Sequence, residues 1–328
     1  MSKFIKKKVY RSFRYLIFIF PITLFIYLFL SDFGQIGNLL FLTKNLFPEI
    51  LLGLLLISFG YILRYYRWRL IINSFGFYPL ANTEYKLWLA SYSFTATPGK
   101  IGELIRGFFL KKIFNIPLKY SFFSILFERI FDFISVIFFL LCFLIINSKN
   151  LILPLKEIYI IFIIFFIIFN FLIIFKLANF RKIIKSFFDI KINFSGNVFK
   201  FGDFSKLNNF KNLLRINFLI KITFLSIFSW FLEGIAFLLL LIKSNFDISP
   251  LLATVTHTSA GLVGALTMLP GGLGLTEAFT VFILKSQTIP IEYGIPITSI
   301  IRLMTLWYIS LLGIISLFII RKKVFEND

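Results

Sequence analysis

The run Glu128-Arg129-Ile130-Phe131-Asp132 stands inside an apolar stretch of the chain. Glu128 and Asp132 are four residues apart and share a helical face, with Arg129 beside them. Charges at membrane depth need partners or water, and they are candidates for function by default. Glu103 and Arg106 follow a break at Thr97-Pro98-Gly99-Lys100-Ile101-Gly102, and Glu277 follows a second break at Leu269-Pro270-Gly271-Gly272-Leu273-Gly274. Glu233 and Arg302 lie in other apolar runs. Together these residues can line a polar path through an apolar protein; the alternative is an ion-pair network that only fixes helix packing. Arg64, Arg67 and Arg69 read either as headgroup contacts or as side chains that reach out to the interface.

A broken helix exposes unpaired backbone N–H groups where its second half begins, and the positive end of the helix dipole adds to them. The half-helix starts at Pro98 and Pro270 are therefore candidate seats for an anion such as a lipid phosphate. Pro98 is tolerated at a first helical position, where its missing N–H has no partner in any case. Gly99, Gly102, Gly271, Gly272 and Gly274 let the backbone turn or approach a ligand. The competing reading is that these glycines serve close packing between helices. His257, the single histidine, sits on a Thr- and Ser-rich arm, where packing or a backbone hydrogen bond is expected. Cys142 is the single cysteine and lies in an apolar run, which leaves no disulfide framework and no Cys-based metal site. No metal and no cofactor are expected.

The elements that hold these residues follow from composition. The 328-residue chain is 59% hydrophobic and 15% charged, with 48 Phe and 15 acidic residues, whereas soluble domains carry about 25% charged residues. The expectation is an all-α, polytopic transmembrane helical bundle. Full spans are expected near 15–31, 48–69, 121–147, 153–176, 216–242 and 298–320, with broken stretches near 84–110 and 250–286. The net charge of +20 argues for basic cytoplasmic loops and an A/T-rich genome rather than a nucleic-acid partner. A basic start followed by an apolar run, without a small-residue cleavage site, reads as a retained first helix. Basic clusters at Lys3–Arg14, in the central loop about 177–215 and at Arg321–Lys323 favour six crossings with both termini in the cytoplasm. The broken stretches are then re-entrant hairpins that enter and leave by one face; two full crossings each would keep the same parity. The loop reads either as a basic connector or as one bearing a short interfacial helix around Ile183, Ile184, Phe187 and Phe188.

Laying Pro98-Gly99 over Pro270-Gly271 gives an offset of 172 residues. The same offset carries the span at 48–69 onto the span at 216–242, and 121–147 onto 298–320. One integral membrane domain, 1–328, thus contains two units, about 48–147 and 216–320, each a span, a broken hairpin and a span. The first hairpin opens from the cytoplasm and the second from outside, the inverted arrangement of many secondary transporters.

The order Arg64-x-x-Arg67-Trp68, Thr97-Pro98-Gly99-Lys100-Ile101-Gly102-Glu103-Leu104-Ile105-Arg106, Glu128-Arg129-x-x-Asp132, Glu233 and Leu269-Pro270-Gly271-Gly272-Leu273-Gly274-x-x-Glu277 resembles the lysylphosphatidylglycerol synthase transmembrane, flippase-like family, UPF0104, over about residues 10–320. In the multiple peptide resistance factors, this membrane domain accompanies a soluble aminoacyl-transferase that loads lysine onto phosphatidylglycerol. For a chain ending at Asp328 the resemblance implies translocation without that synthesis. The expected function is movement of a polar or charged lipid headgroup between leaflets of a bacterial inner membrane. Partners would be an anionic or aminoacylated phospholipid or an isoprenoid-linked lipid, with a homodimer or a lipid-modifying enzyme as protein partner. A secondary transporter of a small solute or ion, and a membrane-embedded subunit of a lipid-modifying transferase, remain open.

Overall fold

A computed structural model describes residues 44–95, 101–146, 192–194, 197–199, 213, 215–267 and 269–325. The elements are α1 (Phe47–Ser74), α2 (Ala81–Ser91), α3 (Ile105–Phe114), α4 (Leu118–Ile146), α5 (Ile216–Lys243), α6 (Pro250–Leu266), α7 (Leu275–Ser286), α8 (Ile291–Arg302) and α9 (Tyr308–Phe325). A π-helical turn, Leu303–Trp307, joins α8 to α9. In the central loop, strands β1 (Ile192–Phe194) and β2 (Asn197–Phe199) pair antiparallel, with Ile192 opposite Phe199. The expected spans 15–31 and 153–176, and the expected interfacial helix near Ile183, lie outside the described residues.

Four helices, Phe47–Ser74, Leu118–Ile146, Ile216–Lys243 and the continuous Ile291–Arg321, are long and apolar enough to cross a membrane. They correspond to four of the expected spans. The last begins at Ile291 because Pro296 lies inside α8 without ending it. The hairpin arms are shorter. Helices α2 and α3 have 11 and 10 residues, about 15–17 Å at 1.5 Å per residue. Helices α6 and α7 have 17 and 12 residues, about 18–26 Å on the same rise, against a hydrocarbon core of about 30 Å.

The two units share their punctuation as well as their order. Helices α1 and α5 end at Gly76 (φ 86°) and Asn245 (φ 63°); α3 and α7 end at Asn115 (φ 54°) and Thr288 (φ 64°). Left-handed residues of this kind close helix C-termini, and Pro117 and Pro290 follow the second pair. Contacts are exchanged between units. Helix α1 packs on α5, α2 of the first hairpin packs on α9 of the second unit, and α6 of the second hairpin packs on α4 of the first.

Each span turns apolar residues outward and small or charged ones inward. On α1, Phe47, Leu51, Leu55, Phe59, Ile62 and Tyr66 are exposed, while Gly53, Gly60, Arg64 and Arg67 are buried. This is the pattern expected where lipid replaces water as the solvent. Close approach needs small residues: a Cβ on Gly60 would stand 3.2 Å from the Ser229 carbonyl oxygen. On α9, a Cβ on Gly313 would stand 2.9 Å from the Tyr92 carbonyl carbon and 3.0 Å from the Leu89 oxygen. Those are backbone atoms, which cannot swing aside. Gly313→Ala is therefore expected to destabilise the protein by about 1–3 kcal/mol, read as a lowered midpoint of thermal unfolding in detergent.

Apolar clusters occupy the two ends of the bundle, one holding Ile57, Val136 and Ala236, the other Trp68, Phe131 and Ile222. Between them on α1, α4 and α5 lie Arg64, Arg67, Asp132, Ser226, Ser229 and Glu233, all buried. The polar layer is thus enclosed at mid-depth. Asp132 is central in the 29-residue α4, about 21 Å of helix from either end.

Candidate functional site

The charges at mid-depth are largely buried and pair with one another. Glu128 accepts from Arg106 Nη1 at 2.6 Å and faces Arg67 Nη2 at 3.9 Å. Asp132 accepts from Arg67 Nη1 at 2.7 Å and lies 3.5 Å from Arg129 Nη2. Glu103, in the helical turn Ile101–Leu104 that also contains Gly102, is 3.3 Å from Arg129 Nη2 and 3.7 Å from Arg106 Nη2. Glu233 is held on one oxygen by Arg64 Nη1 at 2.7 Å and on the other by His257 Nε2 at 3.2 Å. Neutral donors and rings complete the cradle. Arg67 donates to Ser226 Oγ, Trp230 Nε1 donates to Asp132 at 3.3 Å, and Arg64 lies 4.5 Å above the Trp230 ring.

Arg64, Arg67, Arg106 and Arg129 face four carboxylates, Glu103, Glu128, Asp132 and Glu233, so these pairs sum to zero charge. Burying charge in low dielectric costs heavily unless it is matched in this way. The matching is incomplete in detail. Arg64 Nη2, Arg129 Nε, Glu103 Oε1 and Thr95 Oγ1 are buried without a hydrogen-bond partner among the described residues. Arg129 is the most open of the eight, with its side chain 37% exposed.

A second polar group lies at the tip of the second hairpin. Gly271, Gly272 and Gly274 all have positive φ (62°, 68° and 85°), a turn that side chains with a Cβ disfavour. The half-helix begins at Leu275, after Gly274, rather than at Pro270. Its N-terminal anion seat is already taken: Glu277 Oε2 accepts from the Gly274 N–H at 2.7 Å. Arg302 Nε holds the other Glu277 oxygen at 2.7 Å, and Arg302 Nη2 donates to the Gly271 carbonyl at 2.5 Å. Arg302 thus clasps the tip to the start of the π turn. Glu277→Gln should raise hydrogen exchange at residues 271–277 by about tenfold to a hundredfold, corresponding to about 1.5–3 kcal/mol for a charged hydrogen bond. Exchange in α1 and α5 should not change.

Both groups open on one cavity of about 100 Å³. Arg64, Glu103, Arg129, Asp132, Glu233 and His257 line it together with Gly271, Gly272 and Arg302. Arg106, Glu128, Pro270, Gly274 and Glu277 are not among its lining residues, although Arg106 and Glu277 pair with residues that are. Pro98 and Gly99, at the tip of the first hairpin, lie outside the described residues. Two further expectations change on contact with the geometry. Arg67 does not reach the interface: it is 1% exposed and bound to Asp132. His257 binds a carboxylate rather than the backbone. The cavity also uses Tyr61, Tyr92, Thr95 and Trp230, which the motifs did not single out. Tyr61 lies three residues before Arg64, and Trp230 three before Glu233, so helical spacing was the available signal.

The profile of the family described as "Lysylphosphatidylglycerol synthase TM region" matches residues 13–313. The UPF0104 membrane protein MJ1078 of Methanocaldococcus jannaschii is 25% identical over 236 residues, which cover 70% of this chain and 94% of that protein. No solved structure matches the chain.

Proposed function

The chain belongs to the lysylphosphatidylglycerol synthase TM region family, and from that premise we propose that it moves a polar or charged lipid headgroup between the leaflets of a bacterial inner membrane. The observation that carries this reading is a cavity lined by both guanidinium and carboxylate side chains, Arg64, Arg129 and Arg302 with Glu103, Asp132 and Glu233. The Arg64, Arg129 and Arg302 guanidinium groups that line the cavity can donate to a phosphate. Glu103 Oε1 and Thr95 Oγ1 accept from an ammonium or hydroxyl group. A wall with both capabilities suits a headgroup that carries phosphate together with hydroxyl or amino groups, such as an anionic or aminoacylated phospholipid or an isoprenoid-linked lipid.

The acyl chains stay in the bilayer while the headgroup crosses between the hairpins, an arrangement supported by their shortness and by the exchanged packing of the two units. On this reading the protein makes and breaks no covalent bond. Both termini face the cytoplasm, as the basic segments favour, and a second copy or a lipid-modifying enzyme is the fitting protein partner.

The test is headgroup accessibility of candidate lipids in proteoliposomes with and without the protein. Protein-dependent exposure of one headgroup class in the opposite leaflet is the expected result. Solute uptake with unchanged lipid sidedness would instead establish a small-solute transporter, and a modified lipid appearing only with the protein would establish a transferase.

A further inference from the structure

The charge balance and the position of the single histidine lead one step further, resting on the transport reading above. We propose that His257 and Glu233 form a proton site, and that one proton accompanies each singly anionic headgroup through the cavity.

At rest the paired arginines and carboxylates cancel, and Arg302 is matched by Glu277. A headgroup phosphate that docks on Arg64 and Arg129 adds one uncompensated negative charge in a medium of low dielectric. Glu233 meets this first, because it shares Arg64 with the newcomer. His257 is placed to restore the balance. Its Nε2 is 3.2 Å from Glu233 Oε2. That carboxylate, held ionised by Arg64, only accepts hydrogen bonds, so Nε2 carries the hydrogen. A further proton therefore adds to Nδ1, and no other bond forms or breaks. The resulting imidazolium keeps Glu233 paired while Arg64 turns to the phosphate. Histidine is the side-chain type whose charge changes in the ordinary pH range.

The titratable and charged groups that line the cavity with His257 come from several elements. Helix α1 supplies Tyr61 and Arg64, α5 supplies Glu233, and α4 supplies Arg129 and Asp132. Tyr92 and Glu103 come from the first hairpin and Arg302 from α8, with Glu277 of α7 paired with it. Asp132 and Glu103 already share Arg129 and Arg67 or Arg106. Glu233 differs in having the histidine as its second partner.

Coupling one proton to one negative charge makes the loaded step electroneutral, and this gives the test. The full chain is reconstituted in phosphatidylcholine vesicles carrying a trace of acyl-labelled fluorescent phosphatidylglycerol, and the label in the outer leaflet is read by dithionite quenching. A difference of one pH unit across the membrane should enrich the label in the leaflet on the alkaline side by up to about tenfold, the ratio that one proton per lipid allows. A potassium–valinomycin potential without a pH difference should leave the distribution even. His257→Gln keeps a donor to Glu233 but cannot hold the charge; it should lose the pH-driven enrichment and let the distribution follow the potential. Wild-type protein that moves the label according to potential and ignores pH overturns the coupling and leaves transport standing. Wild-type protein that never moves the label overturns the transport reading for an anionic headgroup, and the proton site with it.

Discussion

Arg106→Ala is expected to lower the stability of the solubilised protein by about 3–5 kcal/mol, the usual penalty for leaving half of a buried ion pair behind. Arg106 and Glu128 are both fully buried and 2.6 Å apart. Removing the guanidinium leaves Glu128 with Arg67 at 3.9 Å. Glu103 loses a partner as well, because Arg106 Nη2 lies 3.7 Å from it. The double substitution R106L/E128L removes both charges and replaces them with apolar volume, so it should cost less than R106A alone. Chemical or thermal unfolding of the three proteins in one detergent checks this. A double variant at least as unstable as R106A would show that the pair does not act as a unit.

Arg129→Ala should do the opposite: little loss of stability and a large loss of transport. Its pairs with Glu103 and Asp132 are long, at 3.3 and 3.5 Å, and its side chain is 37% exposed. Pairs with one partly exposed member are weaker than the fully buried Arg106–Glu128 pair, so the stability loss should be smaller than for R106A. Its role on the present reading is to bind a phosphate oxygen during passage. A charged hydrogen bond of about 1.5–3 kcal/mol corresponds to a rate loss of about tenfold to a hundredfold. Arg129→Lys keeps the charge but not the planar fork, so it should recover part of the rate. Normal lipid translocation by R129A in a protein that remains folded would remove Arg129 from the binding wall.

Four of the six expected spans were legible because lipid demands about 20 apolar residues per crossing, and no other solvent imposes so plain a rule on a sequence. The reading of a repeat rested on Pro98-Gly99 and Pro270-Gly271 at one offset, and the matching order of long and short helices in the described residues is consistent with it. The pairing of charges was hidden by distance along the chain. Arg67 meets Asp132 across 65 residues, and His257 meets Glu233 only because α6 lies against α5. On that interface Gly234 admits Thr254, one turn before His257. Arg64 and Arg67 read as interfacial because they follow a long apolar run. Their spacing from Gly60, on the buried face of α1, was the sign that they turn inward. Position relative to the end of the run spoke for water, whereas helical phase spoke for the interior, and phase prevailed. The start of α7 was misplaced at Pro270 because a proline marks a helix start so often. Three positive-φ glycines move that start to Leu275.

The exchange of packing between units sets the order in which the molecule can be completed. The first hairpin has its lasting neighbour in α9, where the Ser316 hydroxyl bonds the Lys86 carbonyl across 230 residues. During synthesis α2 must therefore wait in the bilayer until nearly the whole chain has been inserted. Until then its polar backbone ends and Glu103 have no permanent enclosure from the second unit. Each segment leaves faces that only the other fills. A chain stopped before α9 would be a full set of early spans around an unclosed polar layer, the kind of product that membrane quality control is built to remove.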